Sequence, residues 1–229
     1  MHETLKVSIR GVVPSIMCNG QTSDPLNPYS KQIKKISSKK SKTEDDHMEM
    51  ARIEWNACMY INEKSHPCWP SDNLESMIIK AATKKRKGTD AKAGIFVSDH
   101  APIIYEGPKT PEVLWNHKSF ENNPFILRVP VTVNRNKVMR TRPIFRDWAI
   151  DFEVNYLKDM FDESQIVDFL TIAGRIIGLS DWRPKYGRFE VTSIKSVSYD
   201  QGEANEQEES MEGSKTISER ERIPESVSY

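Results

Sequence analysis

Residues 148–156 read WAIDFEVNY: Trp148, Ile150, Phe152 and Val154 are large and apolar, and Ala149, Asp151, Glu153 and Asn155 fall between them. Only a strand turns successive side chains to opposite faces, so this segment belongs in a sheet with one face covered and the other polar. ETLKVSIRGVV repeats the pattern with Leu5, Val7 and Ile9 against Lys6, Ser8 and Arg10, and RFEVTSI after Gly187 is a further strand. Helices supply the cover. Asp162 and Gln165 form a capping-box pattern, and Ile166, Phe169, Leu170, Ala173 and Ile177 then make one apolar stripe. Ser71 after Pro70 is the expected N-cap of another helix, in which Leu74, Met77, Ile78, Ala81 and Ala82 recur at helical spacing before Lys84-Lys85-Arg86-Lys87 and Gly88. These elements predict an α+β sandwich, one domain over residues 1–199 of the 229.

The rest of the chain decorates that core. Pro25 and Pro28 make residues 18–30 a loop, and residues 31–42 form a basic loop or weak helix, with Lys31, Lys34, Lys35, Lys39, Lys40 and Lys42 and no acid. Thr43 before Glu44-Asp45-Asp46 suits a helix start, leading to a second strand near Ala57–Ile61. Short strands are expected at Gly94–Val97 and Ile103–Tyr105. FILRVPVTV and VMRTRPIF, joined by NRNK, predict a hairpin over residues 125–146, with Pro130 placing its first strand at an edge or bulge.

Composition excludes several classes. No apolar run approaches the roughly 18 residues that cross a bilayer, and the first residues carry no hydrophobic signal core, so a cytoplasmic protein without a membrane partner is expected. Cys18, Cys58 and Cys68 cannot all pair within one chain and are read as reduced thiols; His66 and Cys68 near Cys58 lack a second ligand pair, so no metal is assigned. There is no P-loop or dinucleotide fingerprint, and no cofactor is expected. The zero net charge is asymmetric: residues 200–229 hold nine acids against three bases, so the tail carries −6 and the body +6. An acidic disordered tail follows, either a solubilising end or a competitor for a polyanion site.

Two segments gather base. Between residues 128 and 146 the ionisable side chains are Arg128, Arg135, Lys137, Arg140, Arg142 and Arg146. Arg140 and Arg142, two apart on a strand, share a face, where their repulsion needs water or an anion to offset it. The hairpin is either a finger tracking a phosphate backbone or an edge kept soluble by charge. Residues 173–189, AGRIIGLSDWRPKYGRF, place Arg183, Lys185 and Arg188 beside Trp182 and Tyr186, the combination of phosphate donors and stacking rings that grips single strands. The same residues also suit a structural turn: Gly174 permits close helix packing, Gly178 a left-handed cap and Gly187 a bend into the last strand. Lys34, Lys35, Lys39 and Lys40 form a secondary basic candidate.

The order strand, Pro70-Ser71-Asp72-Asn73-Leu74 opening a helix, arginine-bearing hairpin, strand, helix and Gly178–Gly187 turn into a last strand resembles the RAMP proteins of CRISPR effector complexes, above all their RNA-coating backbone subunits. The resemblance covers roughly residues 3–195. It implies a modified ferredoxin-like, RRM-related antiparallel sheet with helices on one face, plus inserted hairpin and loops, and a late glycine-bearing loop that approaches RNA. The sequence also looks similar to uncharacterised proteins of tailed phages. Three functions stay open: a non-enzymatic binder of RNA or single-stranded DNA; an assembly subunit or homo-oligomer, phage- or defence-related; and a magnesium nuclease built on Asp147, Asp151 and Glu153, which otherwise are strand-face ion-pair partners of Arg140, Arg142 or Arg146. Asp99-His100 offers a general acid or base without an identifiable nucleophile.

Overall fold

The computed structural model describes residues 2–133 and 135–197. In chain order the elements are β1 (His2–Gly11), β2 (Ser15–Ile16), α1 (Pro28–Ser37), α2 (Glu44–Cys58), β3 (Cys68–Trp69), α3 (Ser71–Lys84), α4 (Gly88–Gly94), β4 (Ile95–Phe96), β5 (Ala101–Pro102), α5 (Pro111–Trp115), β6 (Ile126–Val133), β7 (Asn136–Phe145), β8 (Ala149–Leu157), α6 (Glu163–Ile172) and β9 (Phe189–Val197). The acidic tail of residues 200–229 lies outside the described residues.

Four strands form the main sheet in the order β4-β8-β1-β9, with β8 antiparallel to both β1 and β4. Register follows the apolar alternation: Leu5 sits opposite Val154, Val7 opposite Phe152 and Ile9 opposite Ile150, all buried. A one-residue slip would expose the whole row, at about 1.5–3 kcal/mol for each large side chain. Helices α3 and α6 contribute Leu74, Met77, Ile78, Ile166, Phe169 and Leu170 to the same core. The path β1–α3–β4, then β8–α6–β9, is the split β-α-β of a ferredoxin-like core. Residues 12–70 interrupt its first crossover, and residues 97–148 separate β4 from β8. The second insertion carries the hairpin β6–β7, which joins β2 in a three-stranded sheet of order β2-β7-β6. β6 is an edge strand, as Pro130 requires.

Local chemistry explains where the elements begin. The Asp162–Gln165 capping box opens α6, with Asp162 Oδ1 accepting from the Gln165 N–H at 2.9 Å. Thr43 and Asp46 cap α2 reciprocally. This helix runs through Cys58, so the expected strand at Ala57–Ile61 does not form: Trp55 and Cys58 are buried on its last turn, and the Trp55 indole donates to the Phe125 carbonyl at 2.9 Å. Of the two readings of the basic segment, the helix holds through Ser37, and it begins at Pro28, within the stretch expected as a loop. Asn27 accepts from the Tyr29 N–H at 2.9 Å and Pro28 fills the first turn, nucleating α1 despite its lysines.

Three smaller expectations also shift. Pro70 rather than Ser71 occupies the cap position of α3; Ser71 is its first helical residue, and its N–H donates to His100 Nδ1 at 3.2 Å. Gly94 closes the short α4, so the strand there is only Ile95–Phe96. The strand expected at Ile103–Tyr105 falls at Ala101–Pro102, and Ile104 makes a single bridge to Ala149.

Candidate nucleic-acid interface

The hairpin splits its bases between two faces. Arg140 lies opposite Val129 and Arg142 opposite Leu127, and this face turns toward α2. The Arg140 guanidinium donates to Glu54, a residue only 7 % exposed, whose carboxylate also accepts from the Thr141 N–H at 3.2 Å. Arg142 donates to the Cys58 sulfur at 2.9 Å, and its Nε lies 3.6 Å from Asp181 Oδ2. The repulsion expected between these arginines is thus offset by α2 and the late turn. Arg128, opposite Thr141, points to the other face and stacks over Phe120 with its guanidinium carbon 5.0 Å from the ring centroid. Lys137 shares that face, Arg135 lies at the hairpin tip, and Arg146 follows β7; all are exposed. Toward the tip Val133 and Met139 are exposed as well, so β6 and β7 project as a finger.

The late turn is anchored at both ends and open in the middle. Leu179 N–H donates to the Gly187 carbonyl, Gly187 N–H to the Pro14 carbonyl and Asp181 N–H to the Ile16 carbonyl, each at 2.8 Å. Ser180 is buried; its hydroxyl accepts from the Ile16 N–H at 2.8 Å, while Ser15 Oγ donates to the Leu179 carbonyl at 2.7 Å. Gly178 has φ 80° and ψ 161°, a region nearly reserved for glycine and distinct from the left-handed cap expected. Gly187 has φ 76°, and a Cβ there would lie 2.3 Å from the Leu179 carbonyl oxygen. Between these clamps stand Trp182, Arg183, Lys185 and Tyr186. Trp182 is 37 % exposed with φ 56°, its ring 6.2 Å from that of Tyr186, and Lys185 Nζ sits 5.7 Å from the Tyr186 ring. Arg188 is exposed where β9 begins.

Two pockets share Cys18 in their lining. One, of about 480 Å³, is lined by Lys34 and Ser30 of α1, Thr22, Cys18, Arg140 and Arg142, so one candidate lysine joins the hairpin arginines. Lys35 and Lys40 are exposed elsewhere around α1, whereas Lys39 is tied to Asp46 at 2.5 Å. The second pocket, of about 190 Å³, lies between α3 and the late turn, lined by Tyr60, Trp69, Asn73, Ser76, Asp181 and Arg183. The buried Trp69 indole N–H has no hydrogen-bond partner among the described residues. Burial, with the Arg183 charge second, lowers the pKa of Lys80 on α3, which places a base beside the late turn that sequence spacing alone did not single out.

The carboxylates of β8 do not face the hairpin. β8 pairs with β1, and Glu153 meets its cross-strand partner Lys6 at 3.4 Å, while Asp151 lies opposite Ser8. The expected pairing with Arg140, Arg142 or Arg146 is replaced because the hairpin belongs to another sheet. Among the described residues no group of three or more His, Cys, Asp or Glu side chains is placed to hold a metal. Cys68 is buried in β3, away from Cys18 and Cys58. The open face of the central strands β1 and β8 shows Lys6, Ser8, Arg10, Asp151, Glu153 and Asn155, and its rings lie at one end, where His2 of β1 meets Phe96 of β4 edge to face at 5.1 Å.

No family model and no curated protein matches the chain. Among solved structures it is similar to a chain of the Type III-B Cmr-β complex bound to cognate target RNA, with a TM-score of 0.52 at 11 % identity. The match covers 86 % of this chain and 61 % of that one, so the present chain spans about three fifths of its length. The likeness is one of fold and agrees with the ferredoxin-like core. The resemblance to tailed-phage proteins has no counterpart in these comparisons. No helix among the described residues is long and apolar enough to cross a membrane.

Proposed function

We propose that the chain binds single-stranded RNA without cleaving it, as a subunit of a larger assembly. The observation that carries this reading is the late turn: an exposed indole in a strained backbone conformation, a neighbouring phenol ring and three bases, all held by buried backbone hydrogen bonds. A strained, exposed aromatic on a rigid base is organised for stacking, and Arg183, Lys185 and Arg188 supply phosphate donors around it. The finger with Arg128, Arg135 and Lys137 extends the positive surface, and Arg146 follows at its base. The fold's likeness to a chain in an RNA-bound Cmr-β complex supports RNA over DNA and a complex partner over a lone chain. The centre of the β1–β8 face is polar, with its rings, His2 and Phe96, confined to one end, which favours the insertions over RRM-style binding.

Fluorescence polarisation of labelled single-stranded RNA and DNA against the full chain, at two salt concentrations, tests this. Binding is expected to favour RNA and to weaken steeply with salt, with log K falling by roughly 0.7 per phosphate contact for each decade. Absence of binding at low salt would refute the reading.

A further inference from the structure

Cys18 and Cys58 line one pocket together with Arg142, and Cys18 also lines the second. The Asn19 N–H donates to the Cys58 carbonyl at 2.9 Å, which sets the two backbones side by side. Arg142 NH1 donates to the Cys58 sulfur at 2.9 Å, and Cys18 lines the same pocket as Cys58 and Arg142. The guanidinium places positive charge at the pair and favours negative charge on sulfur there. Other polar groups around the pair are Asp181 from the late turn, which opposes that charge, Tyr60, and Lys34, Glu54 and Arg140 at the neighbouring pocket. The neighbouring Cys58, with Arg142 second among the lowering influences, brings the Cys18 pKa down to about 7, while Cys18 and then burial push that of Cys58 up. The two sulfurs also differ in access: Cys58 is buried, whereas Cys18 is half-buried and lines both pockets.

We propose that Cys18 is a peroxide-reactive thiolate and Cys58 its resolving thiol, the pair closing to an intramolecular disulfide. In the first step the Cys18 sulfur attacks one oxygen of a hydroperoxide. The O–O bond breaks, sulfur is oxidised to sulfenic acid, and the peroxide is reduced to hydroxide or alkoxide, which takes a proton from water. Cys58 then attacks the Cys18 sulfur, the S–S bond forms as the S–O bond breaks, and the departing hydroxide leaves as water with the Cys58 proton. Arg142 is a positioning residue that holds Cys58 and stabilises the thiolate. Cys68 is an internal reference, since burial raises its pKa to about 11.

The test is site-resolved alkylation of the full chain by iodoacetamide across pH, followed by peroxide treatment and peptide mapping. At pH ~7 the native Cys18 should carry ~15-fold more thiolate than an ordinary thiol. Its lower intrinsic nucleophilicity, ~5-fold, leaves it ~3-fold faster than Cys18 in the urea-unfolded chain. At pH ~10, where both are ionised, the order should invert, with native Cys18 ~5-fold slower. Arg142→Gln should move the alkylation midpoint upward. Peroxide should yield a Cys18–Cys58 cross-link in the wild type and, in Cys58→Ser, a sulfenic acid at Cys18 trapped by a cyclic diketone. A native profile matching the unfolded chain, or peroxide oxidation of Cys18 without the cross-link in wild type, overturns the proposal.

Discussion

The hairpin and the late turn carry similar chemistry in sequence yet hold it in opposite ways. On the hairpin the regular element is the strand pair, and its arginines divide: Arg140 and Arg142 are drawn against α2, while Arg128, Arg135 and Lys137 face solvent. On the late turn the backbone is irregular, yet its ends are fixed by buried hydrogen bonds and its bases and rings stay outside. The contrast teaches that an excess of base does not mark a binding surface by itself. A guanidinium with a buried carboxylate partner is structural, and only one left facing solvent beside an aromatic ring is available to a ligand.

The sharpest way to break the comparison is to remove the scaffold of the turn. Gly187→Ala forces a Cβ into the Leu179 carbonyl and a positive φ onto alanine, so a stability loss of about 2–4 kcal/mol is expected, seen as a lowered urea midpoint. Because the strain lies in the turn, RNA affinity should fall in the same variant even where the chain remains folded. An unchanged midpoint would mean that the clamp on segment 12–16 does not set the turn's geometry.

Next in size, Arg140→Met leaves the buried Glu54 carboxylate with the Thr141 N–H but no cation. The exposure of the Arg140 side chain, 37 %, moderates the effect, and about 2 kcal/mol is expected, or a Tm lower by roughly 4–8 °C. If Arg140 instead belonged to the RNA surface, its loss would weaken binding with little change in Tm.

These two sites mark what the sequence could and could not reveal. The strands of the main sheet and the α6 cap were legible because period-two alternation and the Asp162–Gln165 spacing are local signals. The hairpin was legible for the same reason, and so was the need for glycine at 178 and 187. The Arg140–Glu54 pair spans 86 residues and depends on α2 extending through Cys58, where a strand was expected; no local pattern encodes it. The docking of the late turn on residues 14–16 is a contact between the two ends of the domain, which sequence spacing cannot register. Of the candidate site, residue types were readable and their faces were not, because facing depends on which sheet β7 and β8 join.

A third prediction isolates the ring from the scaffold. Trp182→Ala removes an indole that is 37 % exposed and packs beside Tyr186, so a modest stability loss of about 1 kcal/mol is expected. If a base stacks on it, affinity should fall roughly 5- to 150-fold, the equivalent of ~1–3 kcal/mol, with little sequence preference. A small loss of Tm together with unchanged affinity would return the turn to a purely structural role.

The smallest effect belongs to the open face of the finger. Arg128→Gln with Lys137→Gln removes two charges that face away from α2, so stability should fall by no more than about 1 kcal/mol, through loss of the Arg128–Phe120 contact. Each lost phosphate contact should reduce the steepness of log K against log salt by about 0.7, so the double variant should flatten the slope by roughly 1.4 and weaken binding only several-fold at moderate salt. Arg142→Gln is the informative control: its side chain is 16 % exposed and already committed to Cys58 and Asp181, so it should cost stability and leave the slope nearly unchanged. Equal slopes for both variants would erase the distinction between the two faces, whereas a flatter slope in the double variant alone would assign the ligand's path to the side of the hairpin that carries Arg128 and Lys137.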